Sequence, residues 1–199
     1  MKKSFFSASA FLIAAVLLSC NNDSETTTTT DSSSTTTSSP MDTTTTTTTT
    51  PVNTTPLEKE DSSFVMEAAK GGMMEVEAGN VAQQNAANER VKAFGSMMVT
   101  DHSQANNELK SLVSGRVMIP DSLPADTKQH IEAMKKMTGK SFDSHYVSMM
   151  LKDHKEDVSK FQKASQNLKD EQLKQWASKT LPVLQKHLDS IQAISKAKL

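Results

Sequence analysis

One cysteine, six glycines, one tryptophan and one tyrosine in 199 residues narrow the possibilities at once. A single thiol forbids an intrachain disulfide. Cations do not outnumber anions, 22 against 23, for a formal net charge of −1, and the lysines are scattered, so no nucleic-acid footprint is present. Outside residues 5–18 no apolar run approaches the length of a membrane span, so the folded part is expected to be soluble. No alternating β-branched run competes with helix after residue 56. Gly-x-Ser-x-Gly, His-Glu-x-x-His and phosphate-loop patterns are all missing, as is a candidate nucleophilic thiol in the folded part, which moves the reading away from an enzyme.

The chain divides into three by composition. Lys2 and Lys3 precede an apolar stretch from Phe5 to Leu18, which Leu17-Leu18-Ser19-Cys20 closes. This resembles a bacterial lipoprotein box. The resemblance implies removal of residues 1–19, ahead of the cysteine, acylation of Cys20 with chains such as palmitate, and stable anchoring in a membrane. Asn21, in place of the Asp used for inner-membrane retention, points to the outer membrane.

Residues 21–56 hold 18 Thr and 6 Ser, four acids and no base, so no apolar face repays ordering and a disordered tether is expected. A flexible coil of this length reaches about 35 Å on average and roughly 120 Å at full stretch. Asp42-Thr43-Thr44 resembles the acceptor triplet of bacterial O-glycosylation. Residues 57–199 contain 55 apolar side chains, against Met41 and Val52 alone in the tether, so a single core lies C-terminal.

That part reads as helices. Thr55-Pro56-Leu57-Glu58 has capping-box form, with a second start at Asp61 to Ser63, and the helix so opened runs to about Asn85. Asn88 caps a second helix ending near Gly115. A short helix over about 125–137 is stopped by Gly139, and Ser141 caps a long helix to about Asn167. Asp170 caps the last, which continues through Pro182 with an expected kink to a basic end at Lys196 and Lys198.

Steps of three and four place the faces. Phe94, Met98, His102, Ala105, Leu109 and Leu112 form one stripe, and Met150, His154, Val158, Phe161, Ala164 and Leu168 another. Leu173, Ala177, Leu181, Leu184, Leu188 and Ile191 line the last helix, with His187 at the edge. The first helix aligns Ala68, Gly72, Glu75, Gly79 and Ala82, small residues that permit close approach around one carboxylate. Short links at 86–88 and 168–170 with a longer crossover at 116–140 give a four-helix bundle of two antiparallel hairpins plus a short crossover helix. Met97-Met98-Val99-Thr100-Asp101-His102 is echoed by Met149-Met150-Leu151-Lys152-Asp153-His154, suggesting a duplicated hairpin.

Phe64-Val65, Gly71-Gly72-Met73, Glu75-Val76-Glu77, Phe94-Gly95, Asp101-His102, Phe142-Asp143, Tyr146, Asp153-His154 and Leu181-Pro182-x-Leu184-x-x-His187-Leu188 resemble the DUF4142 family of exported bacterial proteins over about 57–195. The resemblance implies a ferritin-like all-α fold and an outer-membrane address, and it supplies no reaction.

Ferritin-like bundles hold metals with inward carboxylates and Glu-x-x-His pairs. No such pair occurs here. Asp101-His102 and Asp153-His154 are adjacent pairs, about 100° apart around a helix, so one helix does not present both members to one ion. Two readings follow, of which the sequence favours the first and keeps the second as the alternative. In the first, His102 and His154 are buried, neutral and hydrogen-bonded to a carboxylate across the bundle, no cofactor is held, and chelation leaves the melting temperature unchanged. The protein is then a lipid-anchored, non-enzymatic binding or structural module of the cell envelope, its membrane partner reached through Cys20. In the second, Glu75, Asp101, His102, Asp153, His154 and His187 supply a copper or iron site, with Met98 and Met150, each four residues before a histidine, as soft thioether donors for Cu(I). Convergence of Glu75, His102, His154 and His187 on one coordination shell separates the two.

Overall fold

The computed structural model describes residues 55–197. The segments read as signal peptide and tether, with Cys20, lie outside the described residues up to residue 54. Five helices follow one another, α1 (Lys59–Asn85), α2 (Glu89–Leu112), α3 (Ala125–Lys135), α4 (Gly139–Asn167) and α5 (Glu171–Lys196), and no strand occurs among the described residues. None of these helices is long and apolar enough to cross a membrane.

Two helix starts behave as expected. Asn88 accepts from the Arg90 amide and Asp170 from the Leu173 amide, each satisfying a donor that the first turn leaves free. Two others differ. The helix at α1 begins after Glu58, which makes no side-chain cap, so the Thr55–Glu58 box is unused and Pro56 precedes the helix. Thr138, not Ser141, stands at the start of α4, because Gly139 enters with φ +65°, a left-handed turn that glycine adopts without steric cost. Gly139 therefore opens α4, and α3 ends earlier, at Lys135. The chain stays helical through Pro182.

The direction of each helix can be read from long-range contacts. Arg116, just past α2, pairs with Asp170 at the start of α5. Asp143, near the start of α4, accepts the Ala87 and Asn88 amides in the α1–α2 turn, at 3.1 and 3.0 Å. The segment from 117 to 138 therefore travels the length of the bundle, and α3 covers α1 on the way, with Asn85 holding the Lys135 and Met137 carbonyls. Two antiparallel hairpins joined by one long crossover is the connectivity of ferritin-like bundles.

A second carboxylate mirrors Asp143. Asp61, in the first turn of α1, accepts the Lys169 and Asp170 amides of the α4–α5 turn at 3.1 and 2.7 Å. Asp61-Ser62-Ser63-Phe64-Val65 and Asp143-Ser144-His145-Tyr146-Val147 share one pattern, and the turn residues they hold, 87–88 and 169–170, lie at the same offset. This register pairs α1 with α4 and α2 with α5, as a duplicated hairpin requires. The Met-Met-x-x-Asp-His echo instead links α2 to α4, which are not equivalent helices in the two hairpins. Both aspartates are 1 % exposed, where hydrogen bonds to a charged acceptor contribute about 1.5–3 kcal/mol each.

α1 and α2 cross at two glycines. A Cβ on Gly79 would lie 2.6 Å from the Gly95 carbonyl oxygen, and one on Gly95 would lie 2.8 Å from the Gly79 carbonyl oxygen, so backbone meets backbone. The core is split into two apolar layers. One gathers Ala78, Phe94, Met98, Phe142, Tyr146, Met150 and Ile191. The other gathers Val65, Leu109, Phe161, Leu173, Trp176 and Leu184. Burial of each large member stabilises the fold by about 1.5–3 kcal/mol. Along every long helix the residue between the layers is polar: Glu75, His102, His154 and His187.

Candidate metal centre

Each of the four long helices sends one polar side chain into the midplane. Glu75 is 2 % exposed, His102 6 %, and His154 and His187 0 %. The ring centroids of the three histidines form a near-equilateral triangle, 5.8 Å from 102 to 154, 5.3 Å from 102 to 187 and 5.4 Å from 154 to 187. One nitrogen from each ring lies within 4.8 Å of the other two. Metal–nitrogen bonds of about 2.0–2.1 Å would require spacings of about 3.3–3.6 Å, so closing the trio on one ion takes about 1 Å of ring movement.

One nitrogen of each ring is engaged. His102 Nδ1 lies 3.0 Å from Glu75 Oε2, His154 Nδ1 3.0 Å from the Met150 carbonyl oxygen and 3.5 Å from Glu75 Oε1, and His187 Nε2 2.8 Å from Asp101 Oδ2. Each of these nitrogens faces an acceptor, so in the neutral ring it carries the proton. His102 Nε2, His154 Nε2 and His187 Nδ1 remain buried without a partner, and each is then a lone pair.

Burial explains why the rings are neutral. It depresses His102 to about 3, with His187 and His154 adding like-charge repulsion. It depresses His154 to about 4, with His187 adding to it and the Met150 carbonyl opposing. His187 is lowered by burial as well, against the pull of Asp101. Burial raises Glu75 well above the ordinary carboxyl value, helped by Asp157 and Asp153. Although Glu75 sits in ion-pair geometry with two imidazoles, burial in this dry layer penalises the charged form of each partner and pushes Glu75 and the imidazoles toward their uncharged forms.

The surroundings are asymmetric. Phe94 meets His154 and His187 edge-on at 5.8 and 6.4 Å and walls off one side together with Tyr146, whose phenol burial pushes up and whose hydroxyl lacks a partner. Toward the other layer lies a cavity of about 30 Å³, lined by Gly72, Glu75, His102, Asn106 and Asp157 among others, large enough for a single water. Burial lifts the Asp157 carboxyl to about 6. A surface groove of about 720 Å³ beside Met73, Glu77, Asp121 and Lys135 contains none of the three histidines, so size does not mark the site.

The sequence candidates therefore separate. Glu75, His102, His154 and His187 come together. Asp101 joins as the partner of His187 on another helix, not of its neighbour His102. Asp153 does not join: its half-buried carboxyl is raised by burial and by Glu156, opposed by Lys152, His130 and Lys160. Met98 and Met150 pack in the apolar layer, and Met150 offers His154 its carbonyl. The periodicity missed Tyr146 and Phe94 as walls of the site, because each reads as an ordinary core aromatic.

Searches of curated proteins and of solved structures return no match to this chain. A family model described as "Domain of unknown function (DUF4142)" matches residues 46–194, a span that covers the site and all four helices that build it. The chain belongs to the DUF4142 family.

Proposed function

We propose that this protein is a transition-metal-binding module of the cell envelope, holding one ion through His102, His154 and His187. The observation behind this reading is that His102, His154 and His187 offer ring nitrogens within 4.8 Å of one another, and that each ring keeps one buried nitrogen with no hydrogen-bond partner. Each such atom costs about 1–3 kcal/mol when stranded, and a water has only two hydrogens for three lone pairs. A cation satisfies all three at once. The carboxylates then take the supporting role familiar in metalloproteins, in which the other ring nitrogen donates to a carboxylate or carbonyl and fixes the tautomer.

An all-nitrogen, neutral donor set suits copper or zinc better than iron, which in ferritin-like bundles is held by inward carboxylates. An envelope address rests on the lipobox ending at Cys20 and the Thr-rich tether, which would let the bundle stand off its membrane.

The test is metal analysis of tag-free protein, followed by thermal melts with and without chelator. Stoichiometric copper or zinc, a melting temperature that falls on chelation, and loss of both in His102→Ala/His154→Ala support the proposal. Helical circular dichroism confirms that the variant is folded. A wild type that takes up neither ion and melts identically with and without chelator refutes it.

A further inference from the structure

The chain has five histidines, and the midplane takes three. The other two, His130 on α3 and His145 on α4, face each other with ring centroids 5.4 Å apart. Met149, one turn beyond His145 on the same face of α4, places Sδ 3.2 Å from His130 Nε2. His130 is exposed, and His145 and Met149 are half-buried. This group therefore opens to solvent, whereas the midplane trio does not.

We propose that His130, His145 and Met149 form a surface binding site for monovalent copper. A thioether is a weak hydrogen-bond acceptor, so an exposed imidazole gains little by turning to sulfur in preference to water. Thioethers select soft ions and imidazoles select late transition metals, and Cu(I) is the ion common to both. Bonds of about 2.0 Å to nitrogen and about 2.3 Å to sulfur set a nitrogen–sulfur spacing of about 3.3–3.6 Å around a shared ion, close to the spacing already present. Asp153 follows one turn beyond Met149, within electrostatic reach of His130, and adds a carboxylate beside a bound cation. The site shares no ligand with the midplane and stands whether or not an ion is held there.

The probe is Ag(I), a redox-inert stand-in for Cu(I), titrated into full-length protein carrying ¹³C-methyl methionine, with Cu(I) competition against a chromophoric chelator in parallel. The Met149 methyl resonance, assigned by its loss in Met149→Leu, should shift and saturate at one equivalent. Met149→Leu and His130→Ala should each weaken that equivalent by on the order of tenfold or more while the melting temperature of the metal-free protein stays put. A Met149 methyl that Ag(I) leaves in place, or a Met149→Leu variant that binds Cu(I) as tightly as wild type, overturns the proposal. An ion confined to the midplane would give a Cu(I) equivalent indifferent to Met149→Leu, so the two sites can fail separately.

Discussion

Replacing Glu75 with Gln should stabilise the metal-free protein and weaken metal binding in the same molecule. Glu75 is 2 % exposed, and burial raises its carboxyl well above the ordinary value of 4.5. A carboxyl raised in this way favours the fold fully below its unfolded value, and the advantage is lost as pH rises toward the folded value. Above 4.5 the unfolded chain releases this proton, while the folded chain holds it more tightly. The penalty has a ceiling of about 3 kcal/mol, set by the distance from 4.5 to 7 at about 1.4 kcal/mol per unit. Glutamine has the same shape, can present an oxygen to His102 Nδ1, and incurs no such penalty. With chelator present, Glu75→Gln should therefore exceed wild type by up to about 3 kcal/mol at pH 7, and by less than about 1 kcal/mol at pH 5. Metal narrows this gap at pH 7, because loss of a supporting carboxylate weakens affinity about 10–100-fold, or about 1.4–2.7 kcal/mol of linked stability. Urea denaturation at pH 5, 6 and 7, with chelator and with saturating Zn(II), reads every quantity. A variant less stable than wild type at pH 7 in chelator, or a gap that ignores pH, would mean that Glu75 is ionised, and the reasoning would fall.

The histidines should act in the opposite sense. His102 and His154 are depressed to about 3 and about 4 from 6.5, so their contribution is complete above 6.5 and is lost as pH falls; in the Glu75→Gln background, moving from pH 7 to 5 should cost about 2 kcal/mol per histidine, and a flat profile in denaturation would contradict this. Gly79→Ala should cost about 1–3 kcal/mol because its Cβ meets the Gly95 carbonyl, while Gly71→Ala, with nothing within 4 Å, should be neutral or gain up to about 1 kcal/mol; equal thermal shifts would refute the close crossing. Cys20→Ala should move the protein from the membrane to the soluble fraction or leave an unprocessed precursor, and wild-type protein found unlipidated by mass spectrometry would remove the anchor.

What could be read in advance was whatever depends on one helix at a time. The stripes through His102 and His154 and the small-residue face around Glu75 follow from a period of 3.6, and the Asn88 and Asp170 caps from local chemistry. Which atoms meet across the bundle depends on helix rotation, which packing sets. Nothing near Asp101 announces that its carboxyl serves His187 on α5. Asp61 illustrates the same limit: within its own helix it looks like a start signal, yet its acceptors are used by amides more than a hundred residues away. His130 escaped notice because a short crossover helix has no periodic constraint on where it docks, and Met149 because the stripe drew attention to its neighbour Met150.

The crosswise capping by Asp61 and Asp143 makes each half of the chain finish the other. Neither hairpin alone can satisfy the amides of its own turn, and neither alone owns the midplane: α1 and α2 bring Glu75, Asp101 and His102, whereas α4 and α5 bring His154 and His187. Under the proposed function, an ion held there would act as a rivet between the two hairpins. Pulling the hairpins apart would open the rivet and both latches together, so the bundle should yield to force as a single unit rather than hairpin by hairpin.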